Sequence, residues 1–371
     1  MRIENIKLVN FRNFSEEEVN FFFGVNIFSG KNAQGKTNLL ESIYYASAGF
    51  SPRVGKDIEL LRFDTQDAHI LANFTSEQRG SFEVKIGIAQ SGASSVRKKL
   101  SVNKAERSFS DIAGLVPTVL FWISDLDIVR EAPAVRRKFL DVELSMMSRT
   151  YNWTLKQYNK ALDQRNKLLK QMFASENFSA PLLESFDAQL IEYGSKLIEI
   201  RNKFIADLNA DIFAVYQGIT MSDEYLRLEY VPNVPLFIEQ KELYKQKLVE
   251  RHELDYQRGV TSVGPHRDDF SVTVNGRDIR TFGSQGEGRS VALALRIAEF
   301  KMLERVFKET PILLLDDVMS ELDENRRQGL LGYLSDMAQV IVTTTNIDAF
   351  GVRNVKSVSH FNVENGQINI G

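Results

Sequence analysis

Residues 30–37 read GKNAQGKT (Gly30, Lys31, Asn32, Ala33, Gln34, Gly35, Lys36, Thr37), a complete match to G-x-x-x-x-G-K-[ST]. An apolar strand pattern, Val25, Ile27 and Phe28, leads into it. A helical pattern, Leu39, Leu40, Ile43, Tyr44 and Ala48, leaves it. Strand, glycine-rich turn and helix is the order that phosphate cradling requires. Gly30 and Gly35 let backbone N–H groups turn inward on phosphate oxygens. Lys36 brings a point charge to the β- and γ-phosphates, and Thr37 a hydroxyl to Mg²⁺. The helix from Thr37 aims its positive end at the same phosphates. All eight residues are therefore expected to hold ATP.

The other half of such a site stands far downstream, in PILLLDDVMSELD at 311–323. Four apolar residues, Ile312 to Leu315, suit a strand buried on both faces at the centre of a parallel sheet. Asp316, at its end, is expected to hold Mg²⁺ through water. Asp317 is expected to orient or deprotonate the attacking water, which with Lys36 makes three candidate catalytic residues. A cap or turn after the strand is the alternative for either aspartate. A third stretch, FGSQGEGRS at 282–290, runs into VALALRIAEF. Glycine-rich sequence entering a helix is a second anion-binding helix start. A plain helix capped by Ser284 or Ser290 is the alternative.

Around these motifs the text alternates. Residues 1–30 and 68–103 read as strands. From about 130 the period becomes helical: Leu155, Tyr158, Leu162, Leu169 and Met172, then Leu183, Phe186, Leu190, Tyr193, Leu197, Ile200 and Phe204. SENFSAP (175–181) separates the two series, so they read as an antiparallel helical hairpin, or as helices that simply cover a core. After 260, Phe270, Val272 and Val274 alternate ahead of Asn275-Gly276, a hairpin-turn signal. A helix (289–307), a strand (312–315), a helix (323–334) and a strand (340–343) follow. This is α/β text, with a helical block set between two halves of one head. The expected parts are 1–128 (head with phosphate loop), 129–260 (helical domain) and 261–371 (rest of the head).

The chain has 371 residues, net charge −3, four histidines and no cysteine. Thiolate metal sites, disulfides and cysteine nucleophiles are excluded, which suits a reducing compartment. No apolar run is long enough for a membrane span, and MRIENIKLVNF lacks a signal-peptide core, so no membrane partner and a cytoplasmic location are expected. The overall charge does not announce a nucleic-acid binder. Locally, however, residues 130–170 hold ten basic against four acidic side chains. Lys156, Lys160 and Lys167 are the candidate DNA-binding residues there, through salt-sensitive phosphate contacts. A solvated helix surface is the alternative.

Taken together, the chain resembles the RecF family within the ABC/SMC-type ATPases of DNA repair and chromosome maintenance. The resemblance rests on IKLVNFRNF (6–14), GKNAQGKTNLLESI (30–43), FLDVELS (139–145), VGPHRDDF (263–270), SQGEGRS (284–290), LLLDDVMSELD (313–323) and TTT (343–345). It implies an ABC-type ATPase head with an antiparallel β subdomain and an inserted helical hairpin. Residues 30–37 resemble Walker A, and Asp316 and Asp317 resemble Walker B with its following carboxylate. Ser284, Gly286 and Arg289 resemble the signature, and Ser320 to Asp323 the D-loop. Thr344 or Thr345 stands where related proteins often have a switch histidine. Glu287 and Gly288 depart from the glutamines usual in the family, and Ile123-Ser124 from its usual Ser-Pro. A carboxylate near a partner's γ-phosphate is unfavourable unless paired, as by Arg289, so weak, slow hydrolysis is expected. The resemblance further implies ATP-dependent homodimer clamping on gapped or duplex DNA, RecR-type mediator partners, and a role in recombinational repair and replication restart. An SMC-like DNA-tethering ATPase is the alternative. His266 and Arg267 of GPHRDD either face DNA or nucleotide, or stabilise a hairpin through local ion pairs.

Overall fold

The computed structural model describes residues 1–237, 239–324, 327, 330, 338–345 and 357–371. The expected helix at 323–334 falls mostly outside them. Among the described residues the strands are β1 (Arg2–Phe11), β2 (Phe14–Asn20), β3 (Val25–Ser29), β4 (Asp67–Ser76), β5 (Gly80–Gln90), β6 (Val96–Val102), β7 (Ala105–Arg107), β8 (Thr118–Trp122), β9 (Leu226–Val231), β10 (Asp269–Val274), β11 (Arg277–Asp278), β12 (Ile312–Asp316), β13 (Val340–Thr344), β14 (Val358–Glu364) and β15 (Gln367–Ile370). The helices are α1 (Lys36–Ala48), α2 (Pro133–Met147), α3 (Arg149–Ala174), α4 (Ala180–Thr220), α5 (Gln240–Arg258), α6 (Ile279–Phe282) and α7 (Gln285–Phe307).

Two compact units emerge. The first comprises Met1–Asp127, Ala214–Glu224 and Gln285–Gly371. It holds two six-stranded sheets, ordered β2-β1-β4-β5-β6-β7 and β15-β14-β3-β13-β12-β8. In the second sheet β14, β3, β13, β12 and β8 run parallel, with β15 antiparallel at one edge. β12 and β13 are buried at every position. That is why 312–315 and 340–342 read as unbroken apolar runs rather than alternating ones. β4 and β5 alternate buried and more open positions, as one-sided antiparallel strands do. The result is the expected α/β head with an antiparallel β subdomain.

The second unit comprises Ile128–Phe213 and Tyr225–Ser284. Segment 261–284, expected with the head, clusters here instead. The reason is pairing: β10 lies against β9 residue by residue from Asp269–Val231 to Val274–Leu226. Asn275 (φ 51) and Gly276 (φ 75) make the turn into β11, as their dipeptide indicated. α3 buries Tyr151, Thr154, Tyr158, Ala161, Arg165, Leu169 and Met172, a stripe at helical spacing. The buried arginine in this stripe is neutralised by two carboxylates, Asp187 (2.7 Å) and Asp255 (2.8 Å), and also donates to Thr261 Oγ1 (2.9 Å). A buried charge persists only with such partners.

GPHRDD is the second knot of this unit. His266 is half-buried, and its desolvation pushes its pKa down to about 4. As a neutral ring it donates from Nε2 to Thr261 O (2.9 Å) and accepts at Nδ1 from Tyr158 Oη (2.6 Å). Asp269 pairs bidentately with Arg136 (2.6 and 2.8 Å). Asp268 accepts from Tyr230 Oη, Asn233 N and Arg201. Arg201 also donates to Asp141 and to Pro265 O. The ion pairs of this motif are thus those of Asp268 and Asp269, whereas His266 and Arg267 bond Tyr158 and Thr261 O.

Gly264 opens the motif at φ +131, and a Cβ there would lie 2.2 Å from Tyr244 Oη and 2.4 Å from Tyr158 Oη. Gly264→Ala is expected to cost about 2–4 kcal/mol, from backbone strain plus a displaced buried hydroxyl. Urea unfolding of the two chains measures it; an unchanged midpoint and slope would contradict this account of the motif.

Candidate functional site

The parallel sheet sets the site. β3, β13 and β12 are neighbours, and the phosphate loop follows β3 while Asp316 ends β12. Ligands of open parallel sheets sit at the carboxyl ends of strands, where the two segments meet. The cleft there has a volume of about 270 Å³ and is lined by Lys36, Thr37, Arg53, Asp316, Asp317 and Thr343 among others. Asn32, Ala33 and Gly35 line it from the loop.

The loop's own conformation does the first part of the work. Gly35 has φ +118, and a Cβ there would meet the Asn13 side chain at 2.5 Å. Asn13 donates to Gln34 O (3.0 Å) and accepts from Asn38 Nδ2 (2.8 Å), bracing the turn from outside. Gln34 is also held from the other side. Its carbonyl accepts from Gly366 N (3.1 Å) and its Oε1 from Asn365 N (2.6 Å), at the β14–β15 turn. Lys36 Nζ donates to Gly30 O (2.6 Å) and Lys31 O (2.9 Å). Burial lowers its pKa, against the pull of Asp317 and Asp316.

The carboxylates complete the constellation. Thr37 Oγ1 donates to Asp316 (2.9 and 3.1 Å), and Thr343 Oγ1 donates to Asp316 Oδ1 (2.8 Å). Burial raises the Asp316 pKa, while the bonds from Thr343 and Thr37 act to lower it. A threonine hydroxyl and a carboxylate in direct contact beside a phosphate loop form a donor set that fits a hydrated Mg²⁺. Asp317 is in the left-handed region (φ 54), fixed by its N–H to Thr343 O and Oγ1. Its Oδ1 is buried with no protein partner, a carboxylate oxygen left over for something beyond the protein's own atoms. Thr344 is buried and Thr345 exposed.

A further group was not anticipated. Glu41 of α1 is fully buried and binds Arg12 bidentately (2.9 Å each), Arg53 (2.8 Å) and Ser51. Arg53, which lines the cleft, also reaches Asn38. Arg12 is thus bound to α1 through Glu41 and also donates to Glu59 O (2.7 Å).

Not every predicted residue converges. Gly286 and Arg289 lie in the first turns of α7, with Ser284 just before it, and none of the three lines the phosphate-loop cleft. Ser290 Oγ bonds Gly286 O (3.1 Å). Lys156, Lys160 and Lys167 are all exposed on α3, opposite its buried stripe. They share that face with Trp153, which is 52% exposed. The basic count over 130–170 overstates the available charge, however. Arg136 and Arg165 are buried in ion pairs, and Arg137 donates to Asp268 O (2.9 Å).

The chain matches the family model described as RecF/RecN/SMC N terminal domain over residues 2–369. It is 38% identical over 372 residues to the DNA replication and repair protein RecF of Clostridium novyi (strain NT), covering 100% of both chains. A solved structure of the recombination mediator protein RecF-ATPrS in RecFOR pathway superposes with a TM-score of 0.90 at 35% identity, over 100% of this chain and 98% of that one. An Smc head bound to the C-winged helix domain of ScpA shares the fold alone, with a TM-score of 0.56 and 14% identity over 100% and 97% of the two chains.

Thr343→Val keeps shape but removes one of the two hydroxyls that favour ionised Asp316. The Asp316 pKa should rise further, so Mg²⁺-dependent ATP binding should fade at a higher pH as the solution is acidified. Titrating ATP affinity against pH in both chains checks this; superimposable profiles would show that Thr343 does not tune Asp316.

Proposed function

The chain belongs to the RecF/RecN/SMC N terminal domain family, and on that premise we propose that it is a RecF-like, ATP-dependent DNA-binding protein of recombinational repair. One observation carries the nucleotide part: Thr37, Asp316 and Thr343 are hydrogen-bonded together at the mouth of a glycine-rich loop. Mg²⁺ would be held by Thr37 and Asp316, and would shield the β- and γ-phosphates. Lys36 would exchange its loop carbonyls for phosphate oxygens. Asp317 would orient water for a slow hydrolysis, since in phosphoryl transfer the protein mainly positions and neutralises charge.

The second helix start supports a homodimer. Ser284, Gly286 and Arg289 lie outside the cleft of their own chain, yet they are the residues suited to a γ-phosphate. A second copy would bring them to it, so ATP would act as the adhesive of a two-fold clamp and hydrolysis as its release. Glu287 sits in the first turn of α7, where a carboxylate beside an incoming phosphate is unfavourable unless paired, so slow turnover is expected.

DNA would be held in gapped or duplex form through its backbone, with RecR-type mediators as partners and recombinase loading as the outcome. An SMC-like tether is the weaker reading. α3 has 26 residues, about 39 Å at 1.5 Å per residue, which is short for a tethering arm.

Lys156→Glu, Lys160→Glu and Lys167→Glu together should weaken ATP-dependent duplex binding. If each lysine neutralises one phosphate, the slope of log affinity against log salt should flatten by about 2–3 units. Gel shifts across a salt series with ATP, ADP and no nucleotide measure this. Unchanged affinity and slope would remove α3 from the DNA-binding face.

A further inference from the structure

We propose that a second cleft, beside α5, is a binding site for a phosphate group, free or esterified. It belongs wholly to the helical unit and uses none of the nucleotide-site residues. The proposal does not rest on the DNA reading above.

The cleft has a volume of about 300 Å³, comparable with that at the phosphate loop. α5 buries Tyr244, Leu248, His252 and Asp255 along one seam. Lys247, Arg251 and Arg258 run along the helix next to that seam, at spacings that stack them on one side, and all three line the cleft. Arg251 and Arg258 are exposed and Lys247 is half-buried. Among the described residues, no ion pair occupies any of the three. The only acid lining the cleft is Glu250, which accepts from Gln246 Nε2 (2.9 Å) on its own helix.

The facing wall adds neutral donors. Ser262 lines the cleft, and its Oγ is buried with no hydrogen-bond partner. Its backbone N–H is fixed on Asp255 Oδ1 (3.0 Å), so the residue is held in place while its hydroxyl has nothing to bind. Buried hydroxyls without partners are rare, and one at the wall of a polar cleft marks the position of a ligand atom. Asn233 also lines the cleft, and its Oδ1 is taken up by Gly264 N (2.9 Å), which leaves its Nδ2 as a donor.

Three cations, a hydroxyl and an amide N–H converge on a half-enclosed space with one carboxylate. Such a donor-rich set suits an anion with several acceptor oxygens, and arginine's planar fork suits phosphate in particular. The group can come from a small phosphorylated molecule or from the phosphodiester backbone of a nucleic acid, and the two are separable.

The test uses the full-length chain carrying Lys36→Ala, so that the loop does not compete for phosphate. Inorganic phosphate and pyrophosphate are titrated by ³¹P NMR, and a short duplex by fluorescence anisotropy. Each is repeated with Arg251→Gln plus Arg258→Gln, and separately with Ser262→Ala, after thermal melts establish that the variants fold. Saturable phosphate or pyrophosphate binding, weakened about tenfold or more by the arginine pair and less by Ser262→Ala, supports a site for a free anion; the scale is that of lost charge-assisted hydrogen bonds. Duplex binding weakened by the same variants, with duplex displacing phosphate or with no free-phosphate binding, supports the phosphodiester source. Equal affinities in parent and variants for all three ligands would overturn the proposal.

Discussion

Thr37 and Asp316 are 279 residues apart in sequence and 2.9 Å apart in space. That single contact requires β3, β13 and β12 to lie side by side and parallel, with their carboxyl ends at one edge of the sheet. It requires the residues between them to fold without disturbing that edge. It also sets the electrostatics: a carboxylate whose pKa burial pushes up is kept available by two hydroxyl donors. Lys36, whose pKa burial pushes down, lies between loop carbonyls and the pull of two aspartates. Each charge is thus held in a state from which phosphate or a cation can displace a protein contact at little cost in reorganisation.

Much of this arrangement was legible because it is local chemistry. A glycine-rich loop between a strand and a helix, and two carboxylates ending an apolar run, each carry their function within a dozen residues. Groups that depend on distant partners did not read. Glu41 is one polar letter in a helix, yet it is fully buried and binds two arginines that the sequence places far apart. The turn at Asn365-Gly366 carries a hairpin signal, but nothing in the sequence links it to Gln34, some 331 residues away. The same limit misled the reading of charge. Arg136 and Arg165 count as surface cations in a census of residues 130–170, whereas their carboxylates arrive from 187, 255 and 269. For the same reason segment 261–284 reads as head text, because its partner strand β9 is not apparent until the fold pairs them. Periodicity locates elements; it does not say which charges have found partners.

GPHRDD illustrates how a charged motif can serve the packing of its own unit. Every titratable side chain in it is committed within the helical unit, through Tyr158, Thr261, Arg136, Arg201 and Tyr230. Buried polar networks of this kind fix one arrangement of the elements they join, since a half-satisfied network is costly. The exposed lysines of α3 and the cations of α5 that line its cleft stand on opposite terms: among the described residues no ion pair takes them up. They are the charges available to partners.

In the proposed homodimer the nucleotide site would be one half of a shared one, completed by Ser284, Gly286 and Arg289 of a second copy. The most direct test mixes two chains, one carrying Lys36→Ala and the other Arg289→Ala, each expected to be nearly inactive alone as an ATPase. In random two-fold dimers, half are mixed, and each mixed dimer has one site with both intact halves. ATP hydrolysis in an equimolar mixture should therefore recover to about a quarter of the parent rate. A mixture that stays as inactive as its components would contradict the shared site.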